Sequence, residues 1–402
     1  MQGVDAKTIG LGLGIATASI LCPPLAGAAL IGGALAGLLD SSETLQGTLE
    51  RAFIACRLGV LKKNGSVDLP IMIFKHERPY GWRFGYSIPE GLNIIDFLSK
   101  KLALQTAIKG EIELWEQDGI LHIRAMTLKL PRMIKFKPFE LPEKAILPIP
   151  IGYSRRGLEI VDLAELPHLL VGGTTGAGKS VFLHGVTFTL SHYRHVDVHV
   201  IDLKKIEFVH YKDHVNLATT LNEALTVISS IRKEMFRRME LLMNAKKNNI
   251  RKHKEYMPFI VLIVDEFAQM WPQKQSDTKA AYDIKKKCHN YLHDILSLSR
   301  AVGISCIIST QRPDRFILPG QLKGNLPATL AFRCRNLTNA GVLDTPLAAL
   351  IPAEIKGRAI WNYDTDREVQ VMMFDPERAK FPPPKENIEI EDSDETSLLG
   401  VV

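Results

Sequence analysis

An α/β fold with a mostly parallel sheet and helices on both faces is predicted by three observations. From residue 151 onward, short apolar runs alternate with long stretches of helical periodicity. One run, Leu169-Leu-Val171, leads into the glycine-rich loop Gly173-Thr-Thr-Gly-Ala-Gly-Lys-Ser180, and another, Phe259-Ile-Val-Leu-Ile-Val264, ends on Asp265-Glu266. Alternating runs are the sequence form of successive strand-helix-strand units, which build a parallel sheet. Working groups in such sheets gather at the carboxyl ends of the strands. Gly173–Ser180, Asp202, Asp265, Glu266 and Gln311 all fall at such ends.

The loop fulfils every fixed position of the pattern G-x-x-x-x-G-K-[ST]. Gly173, Thr174, Thr175, Gly176, Ala177 and Gly178 form a flexible backbone whose N–H groups can close around phosphates. Lys179 supplies a point charge for the β/γ oxygens, and the Ser180 hydroxyl is placed to ligate Mg²⁺. Val181 to Leu190 continues as a helix whose N-terminus faces the anion. Binding of ATP with Mg²⁺ is the expectation.

Six consecutive apolar residues, Phe259–Val264, read as a strand buried on both faces. Asp265 at its end would support the metal, and Glu266 would orient and deprotonate the attacking water. The plainer reading is a solvated pair of carboxylates at a strand end. A third strand over 304–310 ends in Gln311, a polar side chain suited to sensing the terminal phosphate. Val196–Leu203 and Thr329–Phe332 complete the parallel set, and Arg358–Tyr363 with Glu368–Phe374 predicts an edge hairpin.

Composition is that of a globular chain: 402 residues, 46% hydrophobic, 23% charged, formal charge +6. Five widely spaced cysteines without a C-x-x-C pair argue against a disulfide framework or a zinc site. The amino terminus departs from this, with no charged side chain from Thr8 to Leu39. As one helix those residues would measure about 48 Å against a hydrocarbon core of about 30 Å, and Pro23-Pro24 divides them near the middle. Either one kinked span or a hairpin dipping in from one side is expected, with a cleaved signal peptide as the rival reading. Arg51, Arg57, Lys62 and Lys63 place the chain after residue 40 on the inner side of the membrane. The expected location is therefore a membrane, with the ATP-binding domain on the cytoplasmic side.

Between this anchor (residues 1–40) and the ATP-binding core, residues 41–130 predict a small α+β module. Its strands are Ile71–Phe74, Trp82–Ser87, Ile112–Trp115 and Ile120–Arg124, with a helix over Ile94–Ile108 and a turn at Gln117-Asp118-Gly119. Trp82, Tyr86 and Trp115 read as core or sheet-face aromatics. Residues 131–150, with five prolines, predict a stiff connector. The ATPase core is expected over 151–380 and an acidic, unstructured tail over 381–402.

Six motifs in order resemble the motor domain of the FtsK/SpoIIIE DNA translocases. They are Pro167-His-Leu-Leu-Val171 leading into Gly173–Ser180, then Ile201-Asp-Leu-Lys-Lys-Ile-Glu207, Val264-Asp-Glu-Phe-Ala268, Ser299-Arg-Ala-Val-Gly303 and Ser309-Thr-Gln-Arg-Pro313. The resemblance covers residues 150 to 375 and implies a RecA-like motor that assembles as a homo-hexamer around double-stranded DNA. By position it implies that Lys179 and Ser180 bind phosphate and metal, Asp265 supports the metal, Glu266 is the base and Gln311 the sensor. It also implies that Arg300 is a finger reaching a neighbour's nucleotide, the alternative being a helix-terminal cation. Asp202, Lys204 and Glu207 would tie the site to the subunit contact.

The upstream module is similar to that of short, membrane-anchored members on mobile elements, which act as coupling proteins and work with a relaxase and conjugation channel proteins. A type VII protein-secretion ATPase, whose motor shares these motifs, is the alternative. The acidic tail leaves no winged-helix module in this sequence, which favours a compact motor on a plasmid or integrative element.

Residues 231–290 hold fourteen Lys/Arg against seven Asp/Glu, which suits either a polyanion or a solvated helical face. By resemblance, Arg312 and Lys323 match basic positions of the family's pore loops. Asn336 and Ala340 replace cations there, with Arg335 as the compensating candidate. Contacts of this kind would be sequence-independent and salt-sensitive.

Overall fold

The computed structural model describes residues 44–78, 81–253 and 257–381. They form two compact units, one ending at Leu128 and one beginning at Lys129. The expected anchor over 1–40 and all but the first residue of the acidic tail lie outside the described residues. Among those described, no helix is long and apolar enough to cross a membrane.

The smaller unit opens with α1 (Leu45–Ala55), whose first turn is capped by the Thr44 side chain accepting from Gly47 N–H. A small hairpin, β1 (Val60–Leu61) and β2 (Val67–Asp68), precedes β3 (Met72–Arg78), β4 (Gly81–Ser87), α2 (Ile94–Ser99), α3 (Lys101–Ile108), β5 (Glu111–Gln117) and β6 (Ile120–Met126). β3-β4-β6-β5 is an antiparallel sheet. The expected turn joins β5 to β6 with φ 55° at Asp118 and 72° at Gly119, the positive angles a two-residue hairpin loop demands.

One helix was expected over 94–108, but the chain bends at Lys100 (φ −103°) into two. An Asn93–Asp96 capping box fixes the first start, and the bend lets Phe97, Leu104 and Ile108 join Phe53, Phe84 and Tyr86 in one core. Tyr86 is thus core, whereas Trp115 stacks on His122 at 5.1 Å.

The larger unit runs through β7 (Ile134–Lys135), β8 (Pro148–Ser154), β9 (Gly157–Asp162), β10 (His168–Gly172), α4 (Lys179–Ser191), β11 (Val196–Ile201), β12 (Asn216–Ala218) and α5 (Leu221–Asn244). It continues with β13 (Phe259–Val264), α6 (Phe267–Met270), α7 (Lys279–Leu298), β14 (Ile304–Thr310), α8 (Gly320–Lys323) and β15 (Ala328–Phe332). It closes with α9 (Leu337–Val342), β16 (Arg358–Asn362), β17 (Asp366–Gln370) and β18 (Met372–Met373).

Ten of these strands form one mixed sheet in the order β12-β11-β13-β14-β10-β15-β16-β17-β8-β9. The first six are parallel and the rest antiparallel. The parallel part is buried on both faces, which is why its strands read as unbroken apolar runs. In β13, Val261 and Ile263 face the α4 layer with Phe182 and Val186. Leu262 and Val264 face the α5–α7 layer with Ile228, Met235 and Leu292.

Two features depart from expectation. The β16–β17 hairpin is interior, because β17 pairs onward with β8 at Gln370–Tyr153. Residues 131–150, expected as a connector, carry β7, which pairs with β18, and the start of β8. Prolines argue against a strand because they donate nothing to a ladder. Pro148 and Pro150 are accommodated because β17 pairs with β8 only at Tyr153 and the β8–β9 register shifts between Pro150 and Gly152.

Candidate nucleotide site

β10 lies between β14 and β15 with all five residues buried, so the loop after it emerges from the middle of the sheet. Gly173, Gly176 and Gly178 take φ of 141°, 74° and 120°, angles open chiefly to glycine. Close approach adds a second constraint, since a Cβ on Gly178 would stand 2.8 Å from Gly357 Cα and one on Gly173 2.7 Å from Phe332 Cβ. The loop is pinned by Thr174, whose N–H and hydroxyl both donate to Arg333 O (2.9 and 3.1 Å), and by Gly357 N–H donating to Ala177 O at 2.9 Å. No side chain caps the 13-residue α4 that begins at Lys179. Its first N–H groups and the positive end of its dipole therefore meet at the loop, the arrangement that receives a phosphate.

Lys179 is 5% exposed. Burial pulls its ammonium down to about 8, against the opposing attraction of Glu266 and Asp265. Asp265 is buried at the end of β13 and its Oδ2 accepts from Lys204 Nζ at 2.9 Å. Burial lowers the Lys204 pKa, but the Asp265 hydrogen bond and charge outweigh it and hold the ammonium above its usual range. A cation therefore already sits on the carboxylate expected to support a metal. Asp202 is wholly buried and accepts backbone N–H groups of Lys204, Lys205, Glu207 and Phe208 at 2.9–3.2 Å. Its part is to shape the turn that aims Lys204 at Asp265.

The cradle of positive-φ glycines, the uncapped helix and the buried ammonium fit a triphosphate. Ser180, in the first turn of α4, and Asp265 are the residues that could hold Mg²⁺, which when bound supplies positive charge to offset that of the phosphates.

Since Lys179 must be charged to hold phosphate, nucleotide binding above pH 8 has to take up a proton. ATP affinity is expected to be flat below pH 7.5 and to fall by up to about tenfold per pH unit above 8. Titration calorimetry in buffers of different ionisation enthalpy measures both the affinity and the proton uptake.

Glu266 caps α6, its Oε1 accepting from Ala268 N–H at 3.4 Å. Thr310 Oγ1 donates to Oε1 at 3.1 Å, and Gln311 N–H donates to both oxygens at 3.2 and 3.1 Å. The Gln311 side chain turns the other way and accepts from the Thr175 hydroxyl. Gln311 thus bridges the phosphate loop and the acidic strand end.

Arg300 is elsewhere. It lies on the turn 299–302 at the amino end of β14, and its charge is felt by His168 at the amino end of β10. At about 3.3 Å per residue the length of β14 separates it from its own loop by roughly 20 Å.

Of the proposed DNA contacts, Arg312 and Arg335 are exposed. Both line a cavity of about 680 Å³ with Thr174, Thr175, Gln311 and Arg333. Lys323 differs, because its ammonium donates to Val342 O at 2.9 Å and pairs with Asp344 at 2.7 Å, closing the end of α9. Arg333 was not singled out from sequence; its place directly after an apolar strand beside the loop strand was the available signal.

Much of the basic segment over 231–290 is spent internally. Arg232 pairs with Asp294, Lys285 with Asp277 and Arg251 with Glu165. Arg238 is buried, bound to Glu234 and to Val302 O. Hydrogen bonds from Arg237, opposed by burial and joined by Arg238, hold the Glu234 carboxyl down to about 2.

The model of the FtsK/SpoIIIE family matches residues 130–258. The DNA translocase FtsK of Campylobacter jejuni is 30% identical over 253 residues, 59% of this chain and 25% of that protein. The DNA translocase FtsK of Bacillus cereus is 25% identical over 313 residues, 68% and 38% respectively. The chain thus spans between a quarter and two-fifths of the length of these relatives.

Among solved structures, the pCW3 conjugation coupling protein TcpA, in monomer form with ATPγS, superposes with a TM-score of 0.59 at 23% identity, covering 83% of this chain and 96% of that one. EssC (ATPases 2 and 3) from Geobacillus thermodenitrificans gives 0.51 at 16% identity, covering 64% and 49%. Both likenesses are of fold: the α/β architecture of this chain is shared with these proteins.

Proposed function

Because the chain carries an FtsK/SpoIIIE-family domain, we propose that it is an ATPase that moves along double-stranded DNA, coupling hydrolysis at the loop to transport. The observation that carries this reading is the placement of Gln311. Its backbone binds the proposed base Glu266, its side chain binds loop residue Thr175, and its neighbour Arg312 opens onto a cavity with Arg333 and Arg335. One short segment therefore touches nucleotide chemistry on one side and an arginine-rich surface suited to a polyanion on the other.

In this reading the loop amides and Lys179 bind and orient the phosphates. Ser180 and Asp265 hold Mg²⁺, Glu266 takes the proton of the attacking water, and Gln311 reports the terminal phosphate. Arg300 serves the nucleotide of a neighbouring copy, within a homo-hexamer encircling the duplex. The uncharged stretch from Thr8 to Leu39 anchors the chain in the bacterial cell membrane with the motor in the cytoplasm. The biological setting is a coupling protein that passes DNA, delivered by a relaxase, to a conjugation channel.

ATP hydrolysis measured with and without long linear duplex tests the central point. Stimulation is expected, and the duplex concentration giving half-stimulation should rise steeply between about 50 and 200 mM salt as counterions compete for phosphate. Hydrolysis indifferent to duplex would end this reading and favour a polypeptide cargo, the type VII-like alternative.

A further inference from the structure

Both oxygens of the carboxylate assigned as base are already engaged by donors of the protein. Glu266 Oε1 accepts from Thr310 Oγ1, Gln311 N–H and Ala268 N–H, and Oε2 accepts from Gln311 N–H. A general base works only when an oxygen lies within hydrogen-bond reach of the water it deprotonates. Thr310 is wholly buried at the end of β14, and its hydroxyl has a second engagement, accepting from Arg312 N–H at 3.1 Å. An unbroken chain of hydrogen bonds therefore runs from the backbone of an exposed arginine, through one hydroxyl, to the base.

We propose that Thr310 is a positioning residue that holds Glu266 in a resting orientation, and that a nucleic-acid phosphate drawing on Arg312 opens this clamp. The proposal rests on the reading of the chain as a DNA-dependent ATPase and adds the device by which DNA would raise the rate.

The loop beyond Arg312 is built to carry such a displacement. Pro313 fixes one backbone angle. Asp314 N–H donates to Arg312 O at 3.0 Å, and the Asp314 carboxylate accepts from Phe316 and Ile317 N–H at 2.9 Å. A pull on the Arg312 side chain is thus passed to its own N–H and draws it away from Thr310. Once Arg312 N–H withdraws, the Thr310 hydroxyl is free to rotate, and Glu266 Oε1 loses its side-chain donor.

The test compares DNA-free and duplex-saturated hydrolysis rates in the wild type, Thr310→Val and Thr310→Ser, with ATP affinity measured in parallel. Valine keeps the shape and removes the hydroxyl. Losing one hydrogen bond that holds the resting state should raise the DNA-free rate about 5- to 10-fold. The duplex-saturated rate should stay within about twofold, so the stimulation ratio shrinks. Serine should restore the wild-type ratio. Thr310→Ala carries the same expectation should the valine variant not fold.

A structural residue alone would lower both rates together and leave the ratio unchanged, and that result overturns the proposal. A wild type that ignores duplex would instead remove the translocase reading. The clamp would then be judged by the DNA-free rate, and a Thr310→Val rate at or below wild type would overturn it.

Discussion

Glu266→Gln should bind ATP within a few-fold of wild-type affinity while turnover falls by about 10²- to 10⁴-fold, the usual contribution of a positioned general base. A carboxamide oxygen at the Oε1 position can still accept from Thr310, Gln311 and Ala268, so the clamp and the capping of α6 survive; the Gln311 contact to Oε2, the capacity to take a proton and the negative charge are lost.

A second consequence separates this variant from a merely damaged one. Glu266 is the foremost of the charges that keep the buried Lys179 protonated. Neutralising it should lower that pKa further below 8, so the loss of ATP affinity on the alkaline side begins at lower pH than in the wild type. Filter binding across pH with single-turnover hydrolysis reads both effects. Hydrolysis at a near-wild-type rate in Glu266→Gln would remove it as the base.

A physical boundary divides the features legible in the chain from those that only its folding reveals. The parallel strands were legible because burial on both faces forces unbroken apolar runs, as in Phe259–Val264. The phosphate loop was legible because positive φ and close approach admit almost nothing but glycine at Gly173 and Gly178. Of the antiparallel extension the β16–β17 hairpin was legible but β8 and β9 were not, because Pro148 and Pro150 are ordinarily read as strand breakers and only the lack of a β17 partner at those positions explains them.

The same boundary runs through the site. The residue types at 265, 266 and 179 announce chemistry by themselves. That Lys204 would sit on Asp265, that Thr310 would hold Glu266, and that Lys323 would be consumed by the end of α9 are facts of tertiary geometry with no local pattern. The basic run over 231–290 shows the converse, since composition counted its cations while folding paired Arg232, Arg251 and Lys285 with carboxylates distant in sequence or helix turn.

Arg300→Ala is expected to lower DNA-stimulated turnover by about 10³-fold or more, the range of an arginine finger, with ATP binding by the isolated subunit unchanged. The side chain is exposed, but its backbone is held with care. Arg238, itself buried, donates to Val302 O at 3.0 Å, Ser299 Oγ donates to Ile304 O at 2.9 Å, and Gly303 ends the turn at φ 70° against Phe259 and Ile250. A cation serving only as a helix-terminal charge would not need this support.

Its position excludes action on its own nucleotide, because the loop lies beyond the carboxyl end of β10 whereas Arg300 stands at the amino end of β14, roughly 20 Å away. In the proposed assembly the nucleotide phosphate it reaches belongs to another copy, through a head-to-tail contact of the kind that closes rings. The decisive experiment mixes Arg300→Ala subunits with Lys179→Ala subunits, each inactive alone. At a junction between them, the intact lysine of one faces the intact arginine of the other. In a random equal mixture about a quarter of the junctions are whole, so a corresponding fraction of activity should return if junctions fire independently. Concerted firing around the ring would yield less, in a steep dependence on mixing ratio. Complete absence of recovery at every ratio, with mixed assemblies shown to form, would return Arg300 to the role of a surface cation.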